Sequence, residues 1–292
     1  MKKITTLICA TTATILLGAC GNKPKTEEKQ MIDVNWCTFN IRYDEPKDSL
    51  NNWKYRKDTI ASFIKAQDLD VIGMQEVLSH QLEDLKERLP EYGAIGVGRD
   101  DGNTKGEYTP LLYKKNRFDV LDSNTFWLSQ YPDSIGFIGW DGACPRIATW
   151  AKFQDKETGK IFMAVNTHFD HVGVEARKNS ALMIIDKIKE IVGDQPAVLT
   201  GDFNISDQEE AYQTITTNEF VLYDSHKTAE KVEGINYTWH GWGKVPEQDK
   251  QIIDFIFVTP SIKVHRSWIP QEPKTEWGFI SDHNPEIANL SF

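Results

Sequence analysis

Six short stretches of this chain place, at or inside an apolar run, a group that can bind a cation or carry a proton. They are "TFNIR" with Asn40, "GMQEV" with Glu76, "NTHFDH" with His168, "TGDFN" with Asp202 and Asn204, "IIDFIF" with Asp254, and "ISDHNP" with Asp282 and His283. An acid at the end of a buried strand is costly to desolvate unless it is paired or coordinated. Asp254 is the sharpest case, because it lies within an otherwise apolar strand pattern. Oxygen donors from Asp, Glu and Asn, with no thiolate among them, suit Mg²⁺ or Mn²⁺ rather than a structural zinc. Magnesium keeps several waters and uses one or two carboxylates, so this set leaves residues over for other work. A remaining His with an Asp elsewhere is an acid–base pair, the carboxylate fixing the tautomer and stabilising the imidazolium. Taken singly, the stretches also have plainer readings. Asn40 reads as a turn residue, and Glu76 as a helix cap or a lysine's partner.

These groups need a scaffold that brings strand ends together. Strand-like and helix-like segments alternate from residue 32: strands over 32–41 and 70–76, and helices over 52–67 and 79–89, the second with Ser79 as its N-cap. Strands follow at 109–114, 117–126, 145–154 and 159–167, then the longest helical pattern at 173–192, stopped by Gly193. A strand at 197–200, a short helix near 207–215 and strands near 235–239, 251–258, 263–269 and 285–291 complete the chain. No repeat or Pro/Gly-rich linker divides it. Mixed strand–helix order with extra consecutive strands in each half points to one domain of two packed sheets covered by helices, with reactive groups beyond the strand ends.

The first residues stand apart. Lys2 and Lys3 precede an apolar run from Ile4 to Leu17, and "LLGAC" ends at Cys20. This composition is that of a secretory signal, too short for a spanning helix, and "LLGAC" resembles a bacterial lipobox whose Cys20 carries the lipid. The expected organisation is a signal over 1–20, a polar tether over 21–31 and a catalytic domain over 32–292, exported to the cell envelope and membrane-anchored through Cys20. Cys37 then reads as a small core residue, with a bridge to Cys144 left open.

The ordered motifs resemble the endonuclease/exonuclease/phosphatase superfamily over about residues 32–292. The resemblance implies a four-layer α/β/β/α sandwich and a Mg²⁺-dependent phosphoesterase, with Mn²⁺ as the alternative ion. It implies Glu76 as principal metal ligand with Asn40 and Asp282 beside the same ion. Asp202 would orient or deprotonate the attacking water, and Asn204 would hold the phosphate or that water. His283 would contact the scissile phosphate or transfer a proton, oriented by Asp254, and His168 would hydrogen-bond a phosphate oxygen. Such a set meets the needs of phosphoester hydrolysis: an in-line nucleophile, neutralised equatorial oxygens and help for the leaving group.

Substrate is less legible. Trp140 in the loop 131–146, and Trp239 and Trp242 in the loop 236–250, either stack on a base or sugar or simply pack their loops. Arg42 and Arg146 bind phosphate or form salt bridges, and His171 is a substrate contact or a solvated loop residue. His80, His226 and His265 read as surface groups. The net charge of −10 disfavours a duplex nucleic-acid partner, whose affinity comes from clustered Lys and Arg. Small nucleotides, phosphorylated glycans and lipid headgroups remain, and no obligate protein partner is expected. For a lipid substrate, "IGFIGW" at 135–140 is the candidate docking hairpin. The competing class, a non-catalytic glycan- or partner-binding protein on the same fold, would favour loss of Glu76, Asp202 or His283, and all three are present.

Overall fold

The computed structural model describes residues 31–193, 195–271, 274–276 and 278–292. The leader, Cys20 and the tether up to residue 30 lie outside the described residues.

Period-two alternation decides the layers. In β1 (Asp33–Asn40) and β2 (Val71–Gln75), Cys37, Phe39, Ile72 and Met74 face one way, toward α1 (Trp53–Ala66) and α2 (Ser79–Arg88), where Ile60, Ile64, Leu82 and Leu85 complete an outer core. Val34, Trp36 and Val71 face the other way, into a second core. That second core also takes Phe153, Phe162, Ala164 and Val198, from β6 (Ile147–Asp155), β7 (Ile161–His168) and β8 (Ala197–Asp202). The opposite face of β7 and β8, with Val165 and Leu199, packs on α3 (Val174–Val192) and α4 (Glu210–Thr217). The result is the expected α/β/β/α sandwich of two packed mixed sheets flanked by helices.

The remaining strands are β3 (Tyr92–Ile95), β4 (Leu111–Lys114), β5 (Phe118–Trp127), β9 (Tyr223–Asp224), β10 (Lys231–Gly234), β11 (Asp254–Val258), β12 (Lys263–Ile269) and β13 (Glu286–Ser291), with α5 at Ser225–Thr228. One sheet runs β10-β12-β13-β1-β2-β4-β3 and the other β5-β6-β7-β8-β11-β9. Among the described residues, no helix is long and apolar enough to cross a membrane.

Several boundaries differ from expectation. The segment 235–239 is not a strand; the strand lies just before it, at Lys231–Gly234. Its β-rich "NYTW" is held instead by Thr238 Oγ1, which accepts from the Ile253 and Asp254 N–H groups at 3.0 and 3.1 Å. Ser79 is the first residue of α2 rather than its cap. The Leu78 N–H is satisfied by Gln81 Oε1 at 3.1 Å, an oxygen that also accepts from the Asp44 N–H. The helix expected near 207–215 begins at Glu210. His226, expected at the surface, is half-buried with Nδ1 3.0 Å from Ser267 Oγ. Cys37 is buried and Cys144 half-buried, and both are free thiols.

Candidate active site

Parity and register bring the site together. Asn40, His168, Asp202 and Asp254 all fall on the inter-sheet face of their strands. Pairing sets His168 opposite Asp202 on β7 and β8, and Asp254 opposite Asp202 on β11 and β8. Asn40 ends β1 opposite Gln75, and Glu76 follows directly. Asn40, fully buried, then spans the two sheets: its Nδ2 donates to Glu76 Oε1 at 3.1 Å and to Asp202 Oδ2 at 2.9 Å.

The turns at these strand ends are unusual. Arg42, Glu76 and Asn204 all have positive φ, at 58°, 60° and 50°. Left-handed backbone at non-glycine residues costs of order 1–3 kcal/mol each and persists where surrounding structure holds it. For Asn204 the hold is visible: its N–H donates to Asp202 Oδ1 at 3.0 Å and its Nδ2 to the Phe169 carbonyl at 3.0 Å.

Asp202 lies between two imidazoles, its Oδ2 3.5 Å from His168 Nε2 and 3.8 Å from His283 Nε2. His283 Nδ1 meets Asp254 Oδ2 at 2.8 Å. Burial opposes a charged His283, but the Asp254 carboxylate overrides it, with Asp202 and Asp282 adding, and holds the ring at about 10. His168 is driven the other way, well below its ordinary value, by burial and then by the Arg146 and Arg99 guanidiniums. One ring is therefore an imidazolium and the other a neutral imidazole, a separation of roles made by environment. Burial and then the Asp254 charge push the Asp202 carboxyl up to about 7.

These groups line a cleft of about 650 Å³, within the roughly 300–1,000 Å³ range of ligand pockets. Its walls include Arg42, Glu76, Arg146, His171, Asn204, Trp239 and Asp282, all expected site residues. Asn40 and Asp254 lie beneath it, fully buried. Two expected residues are elsewhere. Trp242 lies over the Arg56 guanidinium at 5.4 Å, and Trp140 is half-buried in its own loop, where its N–H meets Gln130 Oε1 at 3.2 Å. Both are loop-packing residues. Ile135, Phe137 and Ile138 of the 135–140 segment are exposed, with Phe137 edge-on to Tyr131.

Glu76 and Asp282 form the acidic wall. Arg42 Nη1 stands 3.6 Å from Glu76 Oε2, and with His283 it holds the Glu76 carboxyl below its usual value against the effect of burial. Asp282 is pushed up by burial, with the Glu76 charge adding. Two neighbouring acids with one loosely placed guanidinium are short of positive charge, and their hard oxygens fit a divalent cation. Asn40 stands beside this wall. Its Oδ1 is taken by the Arg42 N–H at 2.9 Å and its nitrogen faces the carboxylates, so it braces Glu76 and Asp202. A second acidic grouping, Cys144, Asp170 and His171, is unsuited to a cation. Arg146 Nη2 sits 3.0 Å from His171 Nδ1, and both Asp170 oxygens accept backbone N–H groups.

Three site residues escape the sequence reading. Arg99 and Glu107 line the cleft, joined through two 2.8 Å hydrogen bonds, with Glu107 Oε2 3.8 Å from His168 Nδ1. Arg56 is buried on α1 and donates to the carbonyls of Ile41, Arg42 and Ile280, tying the loop after Asn40 to the loop before Asp282. A signal for Arg56 exists: it sits on the apolar stripe of its helix, between Trp53 and Ile60.

A buried acid–imidazole set at the open end of two packed sheets is hydrolase architecture, and the chain belongs to the Endonuclease/Exonuclease/phosphatase family, whose profile matches residues 37–283. Members of that family hydrolyse phosphate esters and depend on divalent metal. Among solved structures, a family member from Bacteroides vulgatus is 62% identical, with a TM-score of 0.86 and coverage of 89% of this chain and 98% of that one. A mannosyl-6-phosphatase from Bacteroides thetaiotaomicron is 36% identical, with a TM-score of 0.84 and coverage of 89% and 100%. An uncharacterized protein of Acanthamoeba polyphaga mimivirus is 30% identical over 212 residues, 68% of this chain and 78% of its own length.

Proposed function

We propose that this chain is a Mg²⁺-dependent phosphomonoesterase acting on a sugar-linked phosphate, carried to the cell envelope by its leader and anchored through Cys20. The observation that carries the reaction class is Asp202 Oδ2 placed between the rings of His168 and His283, the latter held by Asp254. Glu76 and Asp282 would hold the ion, which would supply positive charge to the phosphoryl oxygens. Mn²⁺ is the alternative.

The residues divide the remaining work. Asp202 orients the attacking water and accepts its proton, a task suited to a carboxyl held near 7. Asn40 and the Asn204 N–H fix the direction of that carboxylate. His283 presents Nε2–H to the phosphoryl group or to the departing oxygen, while Asp254 acts as a positioning residue through Nδ1. His168 steadies a phosphoryl oxygen on the side facing Arg99 and Arg146.

Sugar phosphate is favoured over nucleic acid by the cleft rim and by the mannosyl-6-phosphatase relative. Trp239 offers an exposed ring beside Ser206, Glu209, Asp249 and Gln251, groups that bind hydroxyls and, where acidic, repel a polyanion. The test is phosphate release from mannose 6-phosphate, bis(p-nitrophenyl) phosphate and a short RNA, each with Mg²⁺, Mn²⁺ or EDTA. Metal-dependent release from the sugar phosphate, lost in Glu76→Ala and His283→Ala, is the expected result. Cleavage of the diester or RNA with the sugar phosphate untouched overturns the monoesterase assignment.

A further inference from the structure

We propose that a second pocket, adjoining the catalytic cleft across Ser206 and Gln251, is a subsite for a further, uncharged sugar unit of the substrate. The preferred substrate is then a phosphorylated oligosaccharide rather than a free sugar phosphate. The proposal deepens the phosphatase reading and rests on it for the phosphate end, but not for the binding of a sugar.

The pocket has a volume of about 440 Å³, within the roughly 300–1,000 Å³ range of ligand pockets. Ser206 and Gln251 line both it and the cleft, so it continues the rim on which Trp239 would receive the first ring. Asp207, Asp224, His226 and Lys227 are its ionisable groups, and Ile252 and Phe255 its apolar part.

The charges here are already engaged. Asp207 Oδ2 takes Lys227 Nζ at 2.7 Å, and its Oδ1 takes Gln208 Nε2 at 2.8 Å. Asp224 Oδ2 accepts from the Tyr212 hydroxyl and its Oδ1 from the His226 N–H, each at 2.8 Å. Burial lowers the His226 ring below its ordinary value, against the Asp224 charge, and leaves it neutral. A cation finds both carboxylates taken, and an anion finds the one ammonium already matched by an acid.

What remains is neutral hydrogen-bonding capacity. Ser267 Oγ donates to the buried Glu286 Oε1 at 3.0 Å, so it meets His226 Nδ1, also at 3.0 Å, as an acceptor. The proton of the neutral ring therefore sits on Nδ1, and Nε2 is a bare acceptor. The side-chain amides of Asn236 and Gln251, exposed and without partners among the described residues, each offer donors and an acceptor. A hydroxyl is likewise both donor and acceptor, and a sugar unit sets several of them around a C–H surface that suits Ile252 and Phe255. An apolar ligand would desolvate Nε2 and both amides without replacing their hydrogen bonds.

The first arm compares kcat/KM for mannose 6-phosphate with that for α-linked mannobioses phosphorylated at O6 of one unit, in Mg²⁺. Binding a part of the substrate remote from the reacting phosphate raises kcat/KM. For the mannobiose of fitting linkage we expect a gain of at least about tenfold, the worth of one or two net hydrogen bonds. In Asn236→Ala and in His226→Phe the ratio of the two kcat/KM values should fall by about threefold or more. Asn236→Ala, an exposed substitution, decides the matter if His226→Phe does not fold. No gain for any mannobiose, or a ratio unchanged in both variants, overturns the subsite.

The second arm needs no turnover. The His226 ring nitrogens are followed by NMR in the metal-free full chain, in EDTA, as unphosphorylated mannobioses are added. We expect a saturable shift of the Nε2 resonance for at least one of them. An absence of turnover on every ester defeats the phosphatase reading alone; the subsite then stands on that shift and is overturned without it.

Discussion

Replacing Asp254 with asparagine separates charge from shape at the centre of the proposed mechanism. Asp254 is fully buried, its Oδ2 is 2.8 Å from His283 Nδ1, and its Oδ1 has no hydrogen-bond partner. An asparagine can therefore keep its oxygen on Nδ1–H and turn its amide group to the unpartnered side. The tautomer survives and the negative charge goes. A hydrogen bond to a charged group is worth about 1.5–3 kcal/mol, which is about 10- to 150-fold in rate at about 1.36 kcal/mol per decade. In Asp254→Asn we expect kcat on mannose 6-phosphate to fall by that factor with KM changed less than threefold, because no substrate-facing group is altered. The thermal midpoint should fall as well, since the buried His283 imidazolium loses the charge that balances it. The second readout is the proton of the Nδ1–H to carboxylate bond, a low-field NMR resonance of the wild type that should move upfield in the variant. A kcat within threefold of wild type, with that resonance moved, refutes the positioning role. Lost activity with the resonance unmoved places the cause elsewhere.

A methyl added at Gly73 would lie 2.2 Å from Thr200 Oγ1 and 2.5 Å from Asn166 Oδ1; Gly73→Ala should cost about 1–3 kcal/mol in chemical denaturation, and an unchanged midpoint would refute a rigid inter-sheet contact there. Arg56→Met leaves the buried Ile41 and Ile280 carbonyls without their guanidinium donor, at about 1–3 kcal/mol per unsatisfied group. It should also weaken Mg²⁺ activation, read by titrating metal into the EDTA-treated protein, and unaltered activation would separate Arg56 from the metal wall. Glu286 is fully buried, with Oε1 accepting from Ser225 and Ser267 and Oε2 unpartnered, and burial followed by the Asp224 charge holds its carboxyl well above the usual range. The folded state therefore keeps a proton that the unfolded chain releases, so stability falls as pH rises from the unfolded value toward the folded one, by up to about 1.4 kcal/mol per pH unit. Glu286→Gln should remove that slope, gaining more over wild type at pH 8 than at pH 5 in paired denaturation curves; equal gains would refute the protonated assignment.

The core of this site is legible because strand alternation and site chemistry share one periodicity. Phe39 and Ile41 on one parity, with Thr38 and Asn40 on the other, already say that Asn40 turns from the helices toward a second sheet. The same holds for Val198, Thr200 and Asp202 against Leu199 and Phe203. Arg56 escaped that reading, although a cation on the apolar stripe of α1 is a signal that could have found it. Arg99 and Glu107 were not legible: they flank loops whose residues reach the cleft only through the pairing of β4 with β2, and no local pattern marks them. The aromatic loops misled for a related reason. Trp140, Trp239 and Trp242 have similar surroundings in sequence, yet Trp239 alone is held at the cleft, bridged to Gln251 and His283. The strand expected at 235–239 failed because side-chain capping by Thr238 replaced ladder pairing, while the real strand at Lys231–Gly234 is charged and short.

The inter-sheet gap also explains why so many charges survive burial. Along it, β7 and β8 pass from apolar to neutral polar to ionisable, with Ala164, Asn166, His168 and Val198, Thr200, Asp202, while β1 passes from apolar Trp36 to the neutral polar Thr38 and Asn40. The middle layer is a hydrogen-bonded network in which Gln75 Oε1 is left without a partner. Gln75 Nε2 donates to Thr38 Oγ1 at 3.1 Å and Asn166 Oδ1 at 2.7 Å, Asn166 Nδ2 donates to the Met74 and Pro110 carbonyls, and Thr200 Oγ1 donates to the Val165 carbonyl at 3.0 Å. Such a network fixes sheet spacing more sharply than apolar packing, because its hydrogen bonds are directional. Gly73 lets the sheets approach closely enough for it to form. The network lies directly beneath Asn40, His168 and Asp202, so a slip of either sheet would break it before moving the site. The positions of Asp202 and its two imidazoles are thus set by a neutral layer that takes no part in the chemistry. Substitutions in that layer, such as Asn166→Leu, should lower kcat through misplacement while leaving every reactive group in the chain.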